Sequence, residues 1–475
     1  MITDEQLKEL SGEMDKRIAE IAKIDKIISL ENDDILIPSR STAEHRKIAK
    51  YAKTPWASNI IQARVNRLKV SGIVGDNASD KDAWGRWRTW GMPLKEKLVY
   101  KDTVSYGTGF IELTKSPAGK YLPVIKDPRR FVAFYGAGDF NDGLLDEFPR
   151  LAMERSLDGK KIRVWDDKNI TIYRSGEGSG WAEVSSTPHG FPVVPIVRYV
   201  NDLTSAGDCL GDIHPVRFLL GRITKTTYDS LMINHSNSWK VKYIAGMSDV
   251  NNLPRAEGES DEEYRRRQAR VEEAMRLELE TSTILTSTNK DTKFGSLPET
   301  APGGFVAVIE RDLKELGAVT HTPSEYLTGD TVSQSAEQSS NSQQNYRAMI
   351  ADKRSVMAEG HASMMRLYLL GEGKKTEEWH SVFVWEENDN GARGAIVDAA
   401  LKMKALGVPK RAVWATLPNV SPEQLDEWLR LAEIEEQKEL AATNALLAIG
   451  EPSKEVVAFD TAEMMNAVEE EASDG

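Results

Sequence analysis

The sequence predicts an α+β fold: helices first, then a run of short strands, then long helices. Three observations lead there. Leu7, Leu10, Met14, Ile18, Ile21 and Ile28 recur near helical spacing. From Phe110 to Val184, short β-branched and aromatic runs alternate with turn residues. After Gly303 the helical period returns, broken by one stretch with no period at all.

In order, residues 1 to about 30 form an amphipathic helix. Thr54-Pro-Trp-Ala-Ser58 starts a second one with Ile60, Ile61, Val65 and Leu68 inward, ending near Gly72. Trp84, Trp87 and Trp90 share a helical face, which favours buried packing over a stacking platform for bases. A helix over 94–106 closes at Gly107 and Gly109. Strands are predicted over 110–114, 121–125, 131–135, 151–153, 161–165, 169–173 and 181–184, as one antiparallel meander. Residues 191–197 lead out of it.

Asp212 is placed to cap a helix running to about Tyr243, on the order of 45 Å long. Ile213, Val216, Leu220 and Ile223 mark its apolar face; Thr224, Thr227, Ser230 and Asn234 mark a small, uncharged one. Residues 244–300 form an insertion. Within it, Ser260-Asp-Glu-Glu263 is a capping box with an acidic first turn. Arg265, Arg266, Arg267 and Arg270 on that helix are candidate phosphate contacts, although Glu262, Glu263, Glu272 and Glu273 favour a solvated face. Short strands are expected over 283–286 and 292–294.

Phe305, Val308, Ile309, Leu313 and Leu316 line one face of a helix that Gly317 is expected to stop. Residues 321–334 contain Pro323 and Gly329 and no period, so they read as a mobile loop without a core. Ser335-Ala-Glu-Gln338 opens a helix that continues to Leu370 across Gly360. Its first half is polar and needs neighbours or a wet space. A strand over 380–385, a helix over 392–406 and another from Ser421-Pro422 follow. The tail from about 451 is acidic.

The net charge of −13 argues against a broad basic grip on nucleic acid. No apolar run approaches a membrane span. The polar N-terminus does not read as a signal peptide. One cysteine, Cys209, precludes an internal disulfide and suggests a reducing compartment. The chain has no Gly-x-x-x-x-Gly-Lys-Ser/Thr loop, no His-Glu-x-x-His pair and no Gly-x-Ser-x-Gly elbow. Its seven histidines lack metal-ligand spacing. No catalytic residue, cofactor or metal site is indicated.

The order of parts resembles the portal (head–tail connector) proteins of tailed double-stranded DNA bacteriophages, siphophage type. The matches are Asn66-Arg-Leu-Lys-Val-Ser-Gly72, Tyr106-Gly-Thr-Gly-Phe-Ile-Glu112, Asp127-Pro128, Pro192-Val-Val-Pro195, and Thr322-Pro-Ser-Glu-Tyr-Leu-Thr-Gly329 followed by Ser335-Ala-Glu337. One departure is the Gln-Ser-Ser-Asn-Ser-Gln-Gln start of the long helix, where relatives are alanine-rich and contain lysine. The resemblance implies a portal fold with wing, stem, clip and crown around a ring channel. The wing would be 1–205 with the long helix and returning strand of 335–392. The stem helices would be 206–243 and 301–320, the clip 244–300, the tunnel loop 321–334, and the crown and acidic tail 393–475. Glu325, Tyr326, Leu327, Thr328, Gly329 and Asp330 become the candidates for facing DNA in the channel.

Also implied are a homo-oligomer, expected as a dodecameric ring at one capsid vertex, and double-stranded DNA in its channel. The large terminase subunit, the major capsid protein and a head–tail adaptor would be partners, with no membrane. The protein would be made in the bacterial cytoplasm and end in the virion. The alternatives are a non-channel minor head or scaffold protein, or a metal-dependent nuclease using scattered carboxylates.

Overall fold

The computed structural model describes residues 3–31, 42–75, 82–136, 146–175, 180–238, 242–245, 255–281, 293–296, 301–329, 336–376, 379, 381–386, 393–415, 417, 420 and 422–448. In chain order these form α1 (Asp4–Ile28), α2 (Ala43–Tyr51), α3 (Trp56–Val65), β1 (Val70–Val74), α4 (Ala83–Thr89) and α5 (Met92–Tyr106). Then come β2 (Thr108–Lys115), β3 (Tyr121–Lys126), β4 (Phe131–Phe134), β5 (Leu151–Arg155), β6 (Lys161–Trp165), β7 (Asn169–Ser175), β8 (Trp181–Pro188) and β9 (Ile196–Val200). The middle of the chain holds α6 (Arg217–Ser238), β10 (Lys242–Ala245), α7 (Asp261–Thr281), β11 (Lys293–Ser296), α8 (Gly303–Val319), α9 (Ser324–Thr328) and α10 (Ala336–Gly371). The chain continues with β12 (Val382–Trp385), α11 (Arg393–Ala405), α12 (Lys410–Ala415) and α13 (Pro422–Ala448).

Two compact units emerge, one of residues 1–66 and 97–372, the other of 67–96 and 373–475. In the first, the predicted single meander is two sheets. Strands β4 to β8 are a five-stranded antiparallel meander, while β2 is central in a three-stranded sheet ordered β3-β2-β9. The stretch expected to lead out thus returns as a strand, Ile196 pairing with Glu112 and Val200 with Thr108. Two prolines, Pro192 and Pro195, hide that strand from a local reading.

Alternation sorts the strand side chains between two faces. Val132, Met153, Ile162 and Val164 pack under Leu7 and Met14 of α1. Each of these burials is worth roughly 1.5–3 kcal/mol. Phe131, Ala133, Ala152 and Trp165 point the other way, onto Phe110, Val194 and Ile196. Thr3 caps α1 in a reciprocal box with Gln6. At the α5–β2 junction Gly107 has φ of +91°, and a Cβ there would strike the Cys209 backbone, so this turn requires glycine.

In the second unit β1 pairs antiparallel with β12. Trp87 is fully buried and its ring centroid lies 5.6 Å from that of Phe383, consistent with packing and not with base stacking. Glu96 is buried in the same unit, and burial pushes its carboxyl up to about 8. Pro422 opens α13 at its first helical position. The strand expected over 283–286 and the tail beyond 448 lie outside the described residues.

Candidate functional site

The candidate segment 321–329 sits between α8 and the long helix α10, and its surroundings explain its shape. Helix α8 does not stop at Gly317; it runs to Val319. Gly317 serves packing instead: a Cβ there would meet the Thr322 carbonyl at 3.0 Å and Leu327 Cδ1 at 3.4 Å. After it, Thr320 Oγ1 donates to the Leu316 carbonyl at 2.6 Å and lies 2.9 Å from Thr322 Oγ1. Pro323 then admits the one-turn helix α9, which Gly329 ends in the left-handed region at φ +69°.

The expectation of a loop without a core is therefore corrected for 321–329. Helix α9 packs on α3 and α8. Leu327 is 6% exposed and packs within the chain. Tyr326 is 40% exposed, and its ring centroid lies 5.8 Å from that of Tyr346, whose hydroxyl donates to the Ala63 carbonyl at 2.6 Å. Glu325 is half-buried, while Thr328 and Gly329 are exposed. Asp330 and the rest of the loop to 335 lie outside the described residues.

A buried charged node holds this region. Arg64, in the last turn of α3, is 2% exposed. Its Nη1 donates to the Ile60 carbonyl at 2.9 Å and to Thr322 Oγ1 at 3.3 Å; its Nη2 donates to the Thr320 carbonyl at 2.5 Å. Its Nε lies 2.5 Å from Asp212 Oδ2, an ion pair without hydrogen-bond alignment. Asp212 Oδ1 accepts from Lys353 Nζ at 2.8 Å and from Asn201 Nδ2 at 2.7 Å. Lys353 also donates to Asn201 Oδ1 at 2.6 Å. Burial pushes the Asp212 carboxyl up, but Lys353 and then Arg64 outweigh it and hold the group below its ordinary range. Burial lowers the Arg64 guanidinium, and Asp212 opposes that.

Asp212 is thus not the cap of a helix over 212–243. That helix, α6, begins at Arg217 because 212–216 form turns around Pro215. Residues 242 and 243 belong to β10. Helix α6 is tied to α8 by Arg222, whose Nε and Nη2 reach the two Asp312 oxygens at 2.9 and 3.1 Å and whose Nη2 reaches Glu315 at 2.6 Å. Asp312 has no exposed surface, so the fork anchors a buried charge.

On α7 the capping box is formed, Glu263 N–H donating to Ser260 Oγ at 3.3 Å and Ser260 N–H to Glu263 Oε2 at 3.1 Å. Arg267 donates two hydrogen bonds to Glu259, at 2.9 and 2.8 Å. Arg266 pairs with Glu262 at 3.5 Å. Arg265 and Arg270 are exposed.

Sequence reasoning missed Arg64 and Lys353. A signal was present: Arg64 falls on the face of Ile60, Ile61 and Leu68, and a charge on an apolar face requires a buried partner. His361 is a second buried polar centre, accepting or donating to Tyr100 Oη at 2.5 Å and Tyr199 Oη at 2.8 Å. Burial lowers its pKa to about 3, so it is a neutral core residue. Among the described residues no group of three or more His, Cys, Asp or Glu is placed to hold a metal ion. No described helix is long and apolar enough to cross a membrane.

No curated protein matches the chain in sequence. Among solved structures, one described as "Virion of native gene transfer agent (GTA) particle" matches with a TM-score of 0.41 at 10% identity, covering 83% of this chain and 99% of that one. "Neck of empty GTA particle computed with C6 symmetry" gives 0.41 at 12%, covering 78% and 94%. "Neck of native GTA particle computed with C12 symmetry" gives 0.42 at 10%, covering 81% and 95%. At that level of superposition the assignment rests on sequence. The profile of the family "Phage portal protein, SPP1 Gp6-like" matches residues 7–440, nearly the whole chain, and the chain belongs to this phage portal protein family.

Proposed function

We propose that this portal protein closes into a homo-oligomeric ring, of twelve copies as the family resemblance implies, at one vertex of a virion capsid. DNA enters and leaves through the ring. The ring docks a terminase, which supplies the ATP chemistry, and later a head–tail adaptor, while its outer part meets the major capsid protein. The protein performs no catalysis of its own. The wing, stem, clip, tunnel-loop and crown divisions given above are adopted as its working parts. The observation that supports this reading is the family match over residues 7–440.

Physical features favour a conduit over a clamp on DNA. Each copy adds a charge of −13, which repels phosphate and lets a duplex slide. Two cations of α6 have acidic partners: Arg222 is held by Asp312 and Glu315, and Lys225 pairs with Asp229. The α9 segment presents Thr328 and Gly329 outward beside Glu325, a polar rim without a cation.

The test is Thr328→Lys in particles assembled with the variant as their sole portal. It puts one ammonium per subunit at this rim. Packaged DNA is expected to fall several-fold, with ring assembly unchanged and partial recovery at higher salt. Normal packaging at all salt concentrations would remove 321–329 from the channel.

A further inference from the structure

We propose that Arg64 is the positioning residue of the candidate channel segment: one buried guanidinium fixes the anchor of 320–329 to the root of α6 and, through Asp212, to α10. The inference rests on the reading of that segment as the DNA-facing one, and it goes beyond that reading by naming what holds it.

The geometry is convergent. Nη2 takes the carbonyl of Thr320, the C-cap of α8, at 2.5 Å, and Nη1 takes the hydroxyl of Thr322 at 3.3 Å, 258 positions away in the chain. Nε faces Asp212, five residues before α6. Asp212 in turn holds Lys353, near the middle of α10. Elements on both sides of 321–335 therefore meet in one cluster. Around Arg64, Tyr346 of α10 bonds the Ala63 carbonyl, and α9 packs on α3.

The charge count is unusual. Two cations, Arg64 and Lys353, share one carboxylate, Asp212. The unmatched positive charge lies against the Ile60 carbonyl inside α3 and the Thr320 carbonyl at the close of α8, where that helix's dipole is negative. Removing Arg64 leaves the Asp212–Lys353 pair balanced. Fold and anchor can therefore be separated by substitution, which is not so for Asp212.

Only a planar guanidinium spans these acceptors at once; a lysine ammonium reaches one side. Residues up to Gly329 are held, and its left-handed backbone ends α9.

The experiment is amide hydrogen exchange by mass spectrometry on the full chain, in one oligomeric state fixed by light scattering, for Arg64→Met, Arg64→Lys and Thr322→Val. In Arg64→Met, peptides over 320–329 should exchange about tenfold faster while peptides over 161–175 are unchanged, since hydrogen bonds to the charged group are lost locally. Arg64→Lys should melt like the parent and still show most of that acceleration. Thr322→Val deletes one acceptor of Arg64, leaves the charges intact, and should accelerate the same peptides to a smaller extent. Because Thr322→Val also removes the hydroxyl contact with Thr320, Arg64→Lys is the decisive variant should Arg64→Met fail to fold. Parent-like exchange over 320–329 in the folded variants overturns the anchor. Faster exchange with undiminished DNA packaging upholds the anchor and overturns the channel reading.

Discussion

Glu96 is the residue whose environment opposes its ordinary state most openly. Desolvation raises its pKa from 4.5 to about 8, against a backbone hydrogen bond from Val70 and the charge of Lys69. A raised carboxyl binds its proton more tightly when folded. Its contribution is complete below pH 4.5 and is lost as pH climbs toward 8. Glu96→Gln should therefore raise the melting temperature at pH 9 by a few degrees and change it little at pH 4; equal shifts at both pH values would contradict the assignment. Asp212 behaves in the opposite sense. Its depressed pKa gives stability that is present above 3.8 and lost as pH falls below that value. Asp212→Asn leaves Arg64 and Lys353 buried without a countercharge and should cost about 3–5 kcal/mol in denaturant unfolding. Arg64→Met keeps a balanced pair and should cost clearly less. The reverse order would refute the charge count at the node.

At the scale of elements, packing decides what each glycine does. Gly360 lies inside α10, where a Cβ would come within 2.5 Å of the Tyr199 ring. Gly221 lies inside α6 with nothing within 4 Å of such a Cβ. Gly360→Ala should destabilise by about 1–3 kcal/mol through overpacking, and Gly221→Ala should stabilise by about 0.5–1 kcal/mol through helix propensity. Thermal melts of the two variants check the pair of signs. The same contrast explains what was legible beforehand. Helix α1, the face of α8 and the five strands β4 to β8 follow from local period, because their patterns are complete within a short window. The β1–β12 pair joins Val70 to Trp385, and no local pattern encodes a partner so distant. Strand β9 was obscured by its prolines. The true end of α8 was hidden because Gly317 answers to Leu327 and Thr322 rather than to helix termination. Of the candidate site, the break between α8 and α10 was legible; the anchoring of 320–329 was not, since Arg64 and Lys353 act through partners far along the chain.

For the whole molecule, the central question is whether the chain works as a closed ring. On the proposed reading, polar helix faces meet neighbouring copies, and the charge of −13 per copy repels a duplex in the channel. Electron microscopy of the purified protein, with mass from light scattering, tests this most directly. Rings with a central hole and a mass near twelve times 52.9 kDa are expected. A compact dimer or tetramer without a hole, persisting at high concentration, would contradict the conduit and favour a scaffold without a channel.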